Sequence, residues 1–217
     1  MPYRAHKTAP PPRLRSRPKH ERRKHGLRIL DFDLENRPLA YWYDGLTTAE
    51  ITAIGWSWSD EGDEVHTLLL NRSGRYVADD GSTHRPRATF EAFRRTLLSA
   101  DVVTGHYIRK HDLPLLNAAM VENELPPLSR ILVSDTHRDI PKMKDLSKSQ
   151  ENLANMFGLE QPKHSMTNVQ WRKANRLGKV GLEEAKKRVV NDVRQHKALR
   201  AALIERGLLK TARYWYP

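Results

Sequence analysis

The sequence contains no cysteine. Disulfides and thiolate metal sites are therefore excluded, and the composition fits a reducing cytoplasm. It also has no run of about 18 apolar residues, the length that spans a bilayer. Acid is scarce at the start: residues 1–28 hold ten Lys/Arg and one acid. That segment lacks the apolar core of a secretion signal. It is basic like some organelle transit peptides, but Pro10, Pro11 and Pro12 argue against an amphipathic helix there.

What is present is a divided charge. The net charge is +12 over 217 residues. Residues 29–141 carry 18 acids against 11 Lys/Arg, whereas residues 142–217 carry 17 Lys/Arg against seven acids. An acidic middle thus lies between basic flanks, a distribution suited first to a polyanion such as nucleic acid and otherwise to a well-solvated surface. Residues 1–26 are rich in Pro, Arg and His and read as a disordered basic tail; residues 27–217 read as one domain. The apolar fraction of 38% supports a single core.

The hydrophobic pattern predicts strands over 27–34, 51–58 and 65–70, with a turn at Asp60–Asp63 between the last two. Helical spacing follows at Thr89–Ala100, then a short buried strand over 101–105 and a helix over 113–123 with Pro114 in its first turn. A strand over 131–134, a helix over 150–157 and a long helix over 182–206 complete the pattern. Three strands, then alternating helix and strand, then helices, indicate an α/β domain with a mixed sheet. The polar, basic stretch 161–180 reads as a mobile insertion near a substrate.

The acids carry the chemistry. In ILDFDLENR (29–37), Asp31, Asp33 and Glu35 alternate with apolar residues, so a strand places all three on one face. Such a face is an exposed edge or a site for hard divalent cations, which take oxygen ligands. Asp112 follows the buried strand and its Gly105-containing loop, at a helix start where it is either a cap or a ligand. Asp192 lies inside the last helix beside the apolar stripe Val189, Val193, Leu199 and Leu203. Asp is a poor helix-interior residue, so Asp192 requires a partner, either a cation or an Arg.

The segments FDLE (32–35), TGHYIRKHDLPLL (104–116) and NDVRQHKAL (191–199), in this order, resemble the DEDD 3′–5′ exonuclease superfamily. Its members are ribonuclease-H-like domains related to polymerase proofreading domains. SDTHRDIPK (134–142), SQENLANMFGL (149–159), KHSM (163–166) and Trp171 resemble the connection in its phage and bacterial branch. The resemblance covers roughly residues 27–207. It implies a ribonuclease-H-like mixed sheet flanked by helices, and Asp33, Glu35, Asp112 and Asp192 as ligands of two Mg²⁺ or Mn²⁺ ions. It also implies hydrolysis at single-stranded DNA or RNA 3′ ends, in the cytoplasm of a bacterial or phage-infected cell. Asp31, one step back on the same face, reads as a support behind the ligands or as structural, and not as a ligand.

Members usually carry a Tyr four residues, or a His five residues, before the last Asp; those positions are Arg188 and Lys187 here. Asn and an aromatic residue usual in the second motif are replaced by Tyr107 and His111. His196, one turn after Asp192, is the substitute expected to position the attacking water, with His111, Tyr107 and His164 as alternatives. Expected substrate contacts are Arg109 and Lys110 beside Asp112, and Lys163, His164, Trp171 and Arg172 in the polar stretch. Trp171 serves there as a base-stacking platform or a core anchor. A binding module without turnover, and an endonucleolytic relative, are the competing readings.

Overall fold

A computed structural model describes residues 26–41, 46–159 and 165–217. The basic tail, apart from its last residue, lies outside the described residues, as do Lys163 and His164. The alternating stretch beginning at Ile29 forms β1 (Ile29–Tyr41), paired antiparallel with β2 (Leu46–Trp58). Next come β3 (His66–Leu70), β4 (Tyr76–Ala78), β5 (Thr83–His84), α1 (Pro86–Ser99), β6 (Val102–Gly105) and α2 (Asp112–Glu122). The chain continues through β7 (Ile131–Asp135), α3 (Gln150–Met156), α4 (Asn168–Asn175), α5 (Lys179–Glu205) and β8 (Arg213–Trp215). The eight strands form one sheet in the order β5-β4-β3-β2-β1-β6-β7-β8. Strands β1, β6 and β7 run parallel, and their neighbours on both sides run antiparallel. This is the mixed sheet flanked by helices that the element order predicts.

The two faces of β1 are chemically different. Leu30, Phe32 and Leu34 turn toward α1 and α2, where Phe32 meets Phe93 edge-on with ring centroids 5.8 Å apart. Asp31, Asp33 and Glu35 turn toward α5. That helix reaches the sheet closely because β2 has Gly55 opposite Asp33. A Cβ on Gly55 would stand 2.8 Å from Val189 Cγ2.

The structure corrects several boundaries. Strand β1 runs on to Tyr41, well past Leu34. It pairs with β6 only from Ile29 to Asp31, so its later backbone is free of that neighbour and tolerates Pro38. A bulge between Glu35 and Asn36 ends the acidic stripe, and Thr52 Oγ1 donates to the Glu35 carbonyl there at 3.1 Å. The polar stretch expected to be a mobile insertion contains α4, whose Thr167–Gln170 capping box satisfies its first turn. Helix α4 packs against α5 at Gly181, where a Cβ would stand 2.0 Å from the Lys173 carbonyl oxygen. The short strands β4, β5 and β8 were not legible as separate elements.

A candidate metal centre

Helix α5 crosses β1 so that two periodicities match. Four helical residues advance about 6 Å, and two strand residues about 6.6 Å. The helix stripe Arg188, Asp192, His196, Arg200 therefore lies against the strand stripe Glu35, Asp33, Asp31, the two running in opposite directions. Charges alternate along the contact. Arg188 Nε is 3.0 Å from Glu35 Oε1, and its Nη2 is 2.7 Å from Asp192 Oδ2. Arg200 forks onto Asp31, with Nε 2.8 Å from Oδ1 and Nη2 2.9 Å from Oδ2.

Three carboxylates, Asp33, Glu35 and Asp192, present oxygens that all lie within 4.8 Å of one another. Asp112 joins them through the backbone. Its Oδ1 accepts the Leu34 N–H at 3.1 Å, between Asp33 and Glu35. That N–H lies beyond the β6 pairing, so it is available to a side chain. Asp112 is the first residue of α2 rather than its cap, which is His111. The four acids expected from the sequence thus converge from three distant segments. Gln150, at the start of α3, donates to the Asp192 carbonyl at 2.9 Å and ties α5 in place at this level.

Electrostatics sets Asp33 apart. Burial, reinforced by Asp192, Asp112 and Glu35, pushes its carboxyl well above the usual carboxylate range, and Arg188 only partly opposes this. Burial likewise pushes Glu35 up to about 7, against the pull of Arg188. Among the described residues Asp33 forms no ion pair. A centre with four carboxylates, all oxygen donors, and one guanidinium suits a hard divalent cation. The residues present fit Mg²⁺ or Mn²⁺.

The other expected site residues divide sharply. His196 is 2% exposed, and its ring nitrogens face Asp31 at 3.2 Å, Thr104 at 3.1 Å and Thr136 at 3.2 Å. This corrects the expected water-positioning role: a ring spent on three buried partners braces the sheet. Burial disfavours the Asp31 charge, but hydrogen bonds from His196 and Arg200 overcome it and hold the carboxyl below its ordinary value. Asp31 is structural, as expected.

Arg109 is corrected in the same way. Its guanidinium pairs with Asp139 at 2.9 Å and donates to the Val133 carbonyl, so it is committed to the protein rather than to a substrate. Lys110 and Arg172 are exposed, and Trp171 is half-buried on α4. Helix α4 is tied to β1 at Arg37, which donates to the Asn175 carbonyl at its end at 2.7 Å. His111 is half-exposed beside the cluster, 3.7 Å from Asp112 Oδ2, and this neighbour raises its pKa.

One residue of this frame went unnoticed in the sequence. Asp135, fully buried at the end of β7, accepts the backbone N–H groups of Tyr107, Arg109, His137 and Arg138 at 3.0–3.2 Å. These bonds hold the loop that delivers Asp112, including Tyr107 in a left-handed conformation at φ 69°. A cleft of about 520 Å³ lies elsewhere, between β3, β4 and the first turns of α5, lined by Leu69, Arg72, Val77, Lys179 and Lys186.

No protein-family model matches the sequence, and no curated protein does. Among solved structures, the chain is similar to the family B DNA polymerase from the hyperthermophilic archaeon Pyrobaculum calidifontis. The TM-score is 0.55 at 16% identity, covering 82% of this chain and 25% of that one. The chain thus spans a quarter of that polymerase's length, and at this identity the likeness bears on the fold alone. Together with the mixed sheet and its flanking helices, it supports the ribonuclease-H-like α/β fold that the motif order implies.

Proposed function

We propose that this protein is a metal-dependent 3′–5′ exonuclease that hydrolyses phosphodiester bonds at single-stranded DNA or RNA ends. One observation carries the reading. Asp33, Glu35 and Asp192 come together within 4.8 Å, and Asp112 is hydrogen-bonded to the backbone between the first two. Four carboxylates converging on a partly open surface, one of them without an ion pair among the described residues, form an expensive arrangement that divalent cations relieve. The fold likeness to a DNA polymerase agrees with a resemblance to a superfamily that includes polymerase proofreading domains.

Asp33, Glu35, Asp112 and Asp192 would hold two Mg²⁺ or Mn²⁺ ions. Bound there, the cations would supply an activated water and stabilise charge on the attacked phosphate and the leaving oxygen. The chain's own part is to hold the carboxylates in register. The β1–α5 stripe aligns three of them, and the Asp135-pinned loop sets the fourth. His111 is the half-exposed histidine beside the cluster and the candidate for orienting water. Lys110 and Arg172, both exposed, are the candidates for phosphate contacts, and Trp171 for stacking on a base. The basic flanks add sequence-independent, salt-sensitive affinity.

A second reading is a nucleic-acid-binding module of the same fold without turnover. It is favoured by Arg188, which occupies the position of the usual tyrosine and grips two of the four acids. The test uses 5′-labelled single-stranded DNA and RNA with Mn²⁺, Mg²⁺ or EDTA, and compares wild type with Asp33→Ala and Asp192→Ala. The expected result is a metal-dependent ladder shortening from the 3′ end, absent in both variants. Internal cuts would point to an endonuclease. Binding without cleavage under every metal would leave the binding module.

A further inference from the structure

Arg188 is bonded to two of the three carboxylates whose oxygens converge most closely. Each of those bonds ties up one oxygen, Glu35 Oε1 or Asp192 Oδ2, of a carboxylate that a cation would share. A divalent ion at ligand distance from Glu35 and Asp192 would lie within a few ångströms of the guanidinium, and charges of the same sign that close repel strongly in a half-buried site. The two cations therefore compete for one place. Four carboxyl groups against one guanidinium also leave more acid than Arg188 alone can compensate, so a dication, which favours the ionised forms, compensates the centre better than Arg188 does. The side chain is 13% exposed, on the outer turn of α5 before Asp192, and its long stem can carry the guanidinium to the rim without moving the helix.

We propose that Arg188 is an exchangeable counter-ion of the centre: it neutralises Glu35 and Asp192 in the metal-free protein, and an entering divalent cation displaces it. Metal loading and guanidinium release are then a single exchange. This rests on the metal centre proposed above. It explains why an arginine is tolerated amid ligands: it stabilises the empty centre at the cost of metal affinity. Any activity would then demand more metal than the same centre without the arginine.

The test is calorimetric titration of the full chain with Mn²⁺, for wild type, Arg188→Gln and Arg188→Lys, beside thermal unfolding with and without Mn²⁺. The Arg188 Nε–H resonance of ¹⁵N-labelled wild type is followed separately on Mg²⁺ addition. Arg188→Gln is expected to melt lower than wild type without metal. It should bind Mn²⁺ at least about tenfold tighter, the loss of one or more charge-assisted bonds against the metal. Arg188→Lys, which keeps the charge but not the fork, should fall between. In wild type, Mg²⁺ should shift the Arg188 Nε–H signal with the same midpoint as binding. Equal or weaker Mn²⁺ binding by Arg188→Gln overturns the exchange while leaving the metal centre standing. Absence of binding in all three proteins overturns both. Should Arg188→Gln not fold, a wild-type Nε–H signal unmoved at saturating Mg²⁺ overturns the exchange by itself.

Discussion

Replacing Arg200 with Met tests whether the stripe between α5 and β1 is held by charge. Asp31 is 0% exposed and accepts two bonds from Arg200, at 2.8 and 2.9 Å, with His196 adding a third contact at 3.2 Å. Met preserves most of the aliphatic stem, so packing changes little and the loss is the fork. Removing one partner of a buried pair costs about 3–5 kcal/mol, because the other charge is left without compensation. His196 remains, which favours the lower end of that range. The assay is urea unfolding at neutral pH without metal. A double-mutant cycle with Asp31→Asn separates the pair from its surroundings: Asn carries no charge to strand, so the double variant should recover much of the loss. A cost under about 1 kcal/mol for Arg200→Met, or strict additivity in the cycle, would refute the claim that this pair braces the acid strand.

Three further outcomes follow from the same geometry. Glu35 has a folded pKa of about 7 against an ordinary value of 4.5. The folded state therefore binds more protons between these values, so metal-free stability falls as pH rises through that window. The loss is up to about 3 kcal/mol from this group, and saturating Mn²⁺ should abolish the slope in a melting series. Gly55→Ala places a Cβ 2.8 Å from Val189 Cγ2; chemical denaturation should show a loss of about 1–3 kcal/mol, partly rescued when Val189→Ala is added. Asp135→Ala strands four backbone N–H groups; it should cost about 3 kcal/mol by urea unfolding, and cleavage, if present, should fall because the loop carrying Asp112 loosens.

The alternating acids of β1 and the apolar stripe of α5 beside Asp192 were legible because side-chain period is a property of the local chain. The face of Asp31, Asp33 and Glu35 could be read before any partner was known. Asp192 could be read as needing a cation or an Arg, and the structure supplies Arg188 one turn before it. The role of His196 was not legible, since a histidine beside an apolar stripe looks the same whether it faces water or a buried aspartate; only the β1–α5 register decides. Arg109 misled for a related reason. Its partners, Asp139 and the Val133 carbonyl, lie 24 to 30 residues away, and a basic residue next to an acidic motif reads as a substrate contact until they are placed. Helix α4 was hidden by composition: its surface is polar and its buried share reduces to Ala174, but a capping box and the glycine notch on α5 suffice to seat it.

The repulsion along β1 is therefore resolved in two ways at once. At the Asp31 end it is resolved permanently, by a buried fork and a buried histidine that leave no room for a ligand. At the Glu35 end it is resolved by Arg188, a single guanidinium on the half-buried edge of the same stripe. Asp33, between them, has no ion pair among the described residues, and burial with its acidic neighbours drives its carboxyl well above the usual carboxylate range. An unpaired acid between two paired ones on alternate residues of one strand is hard to explain by folding alone, since Asn or Ser at position 33 would remove the charge that burial disfavours. Asp112 and Asp192 also arrive beside Asp33, bringing more acid to the place that least tolerates charge. That convergence makes sense if a cation is the missing partner, and it places the demand for that cation at Asp33.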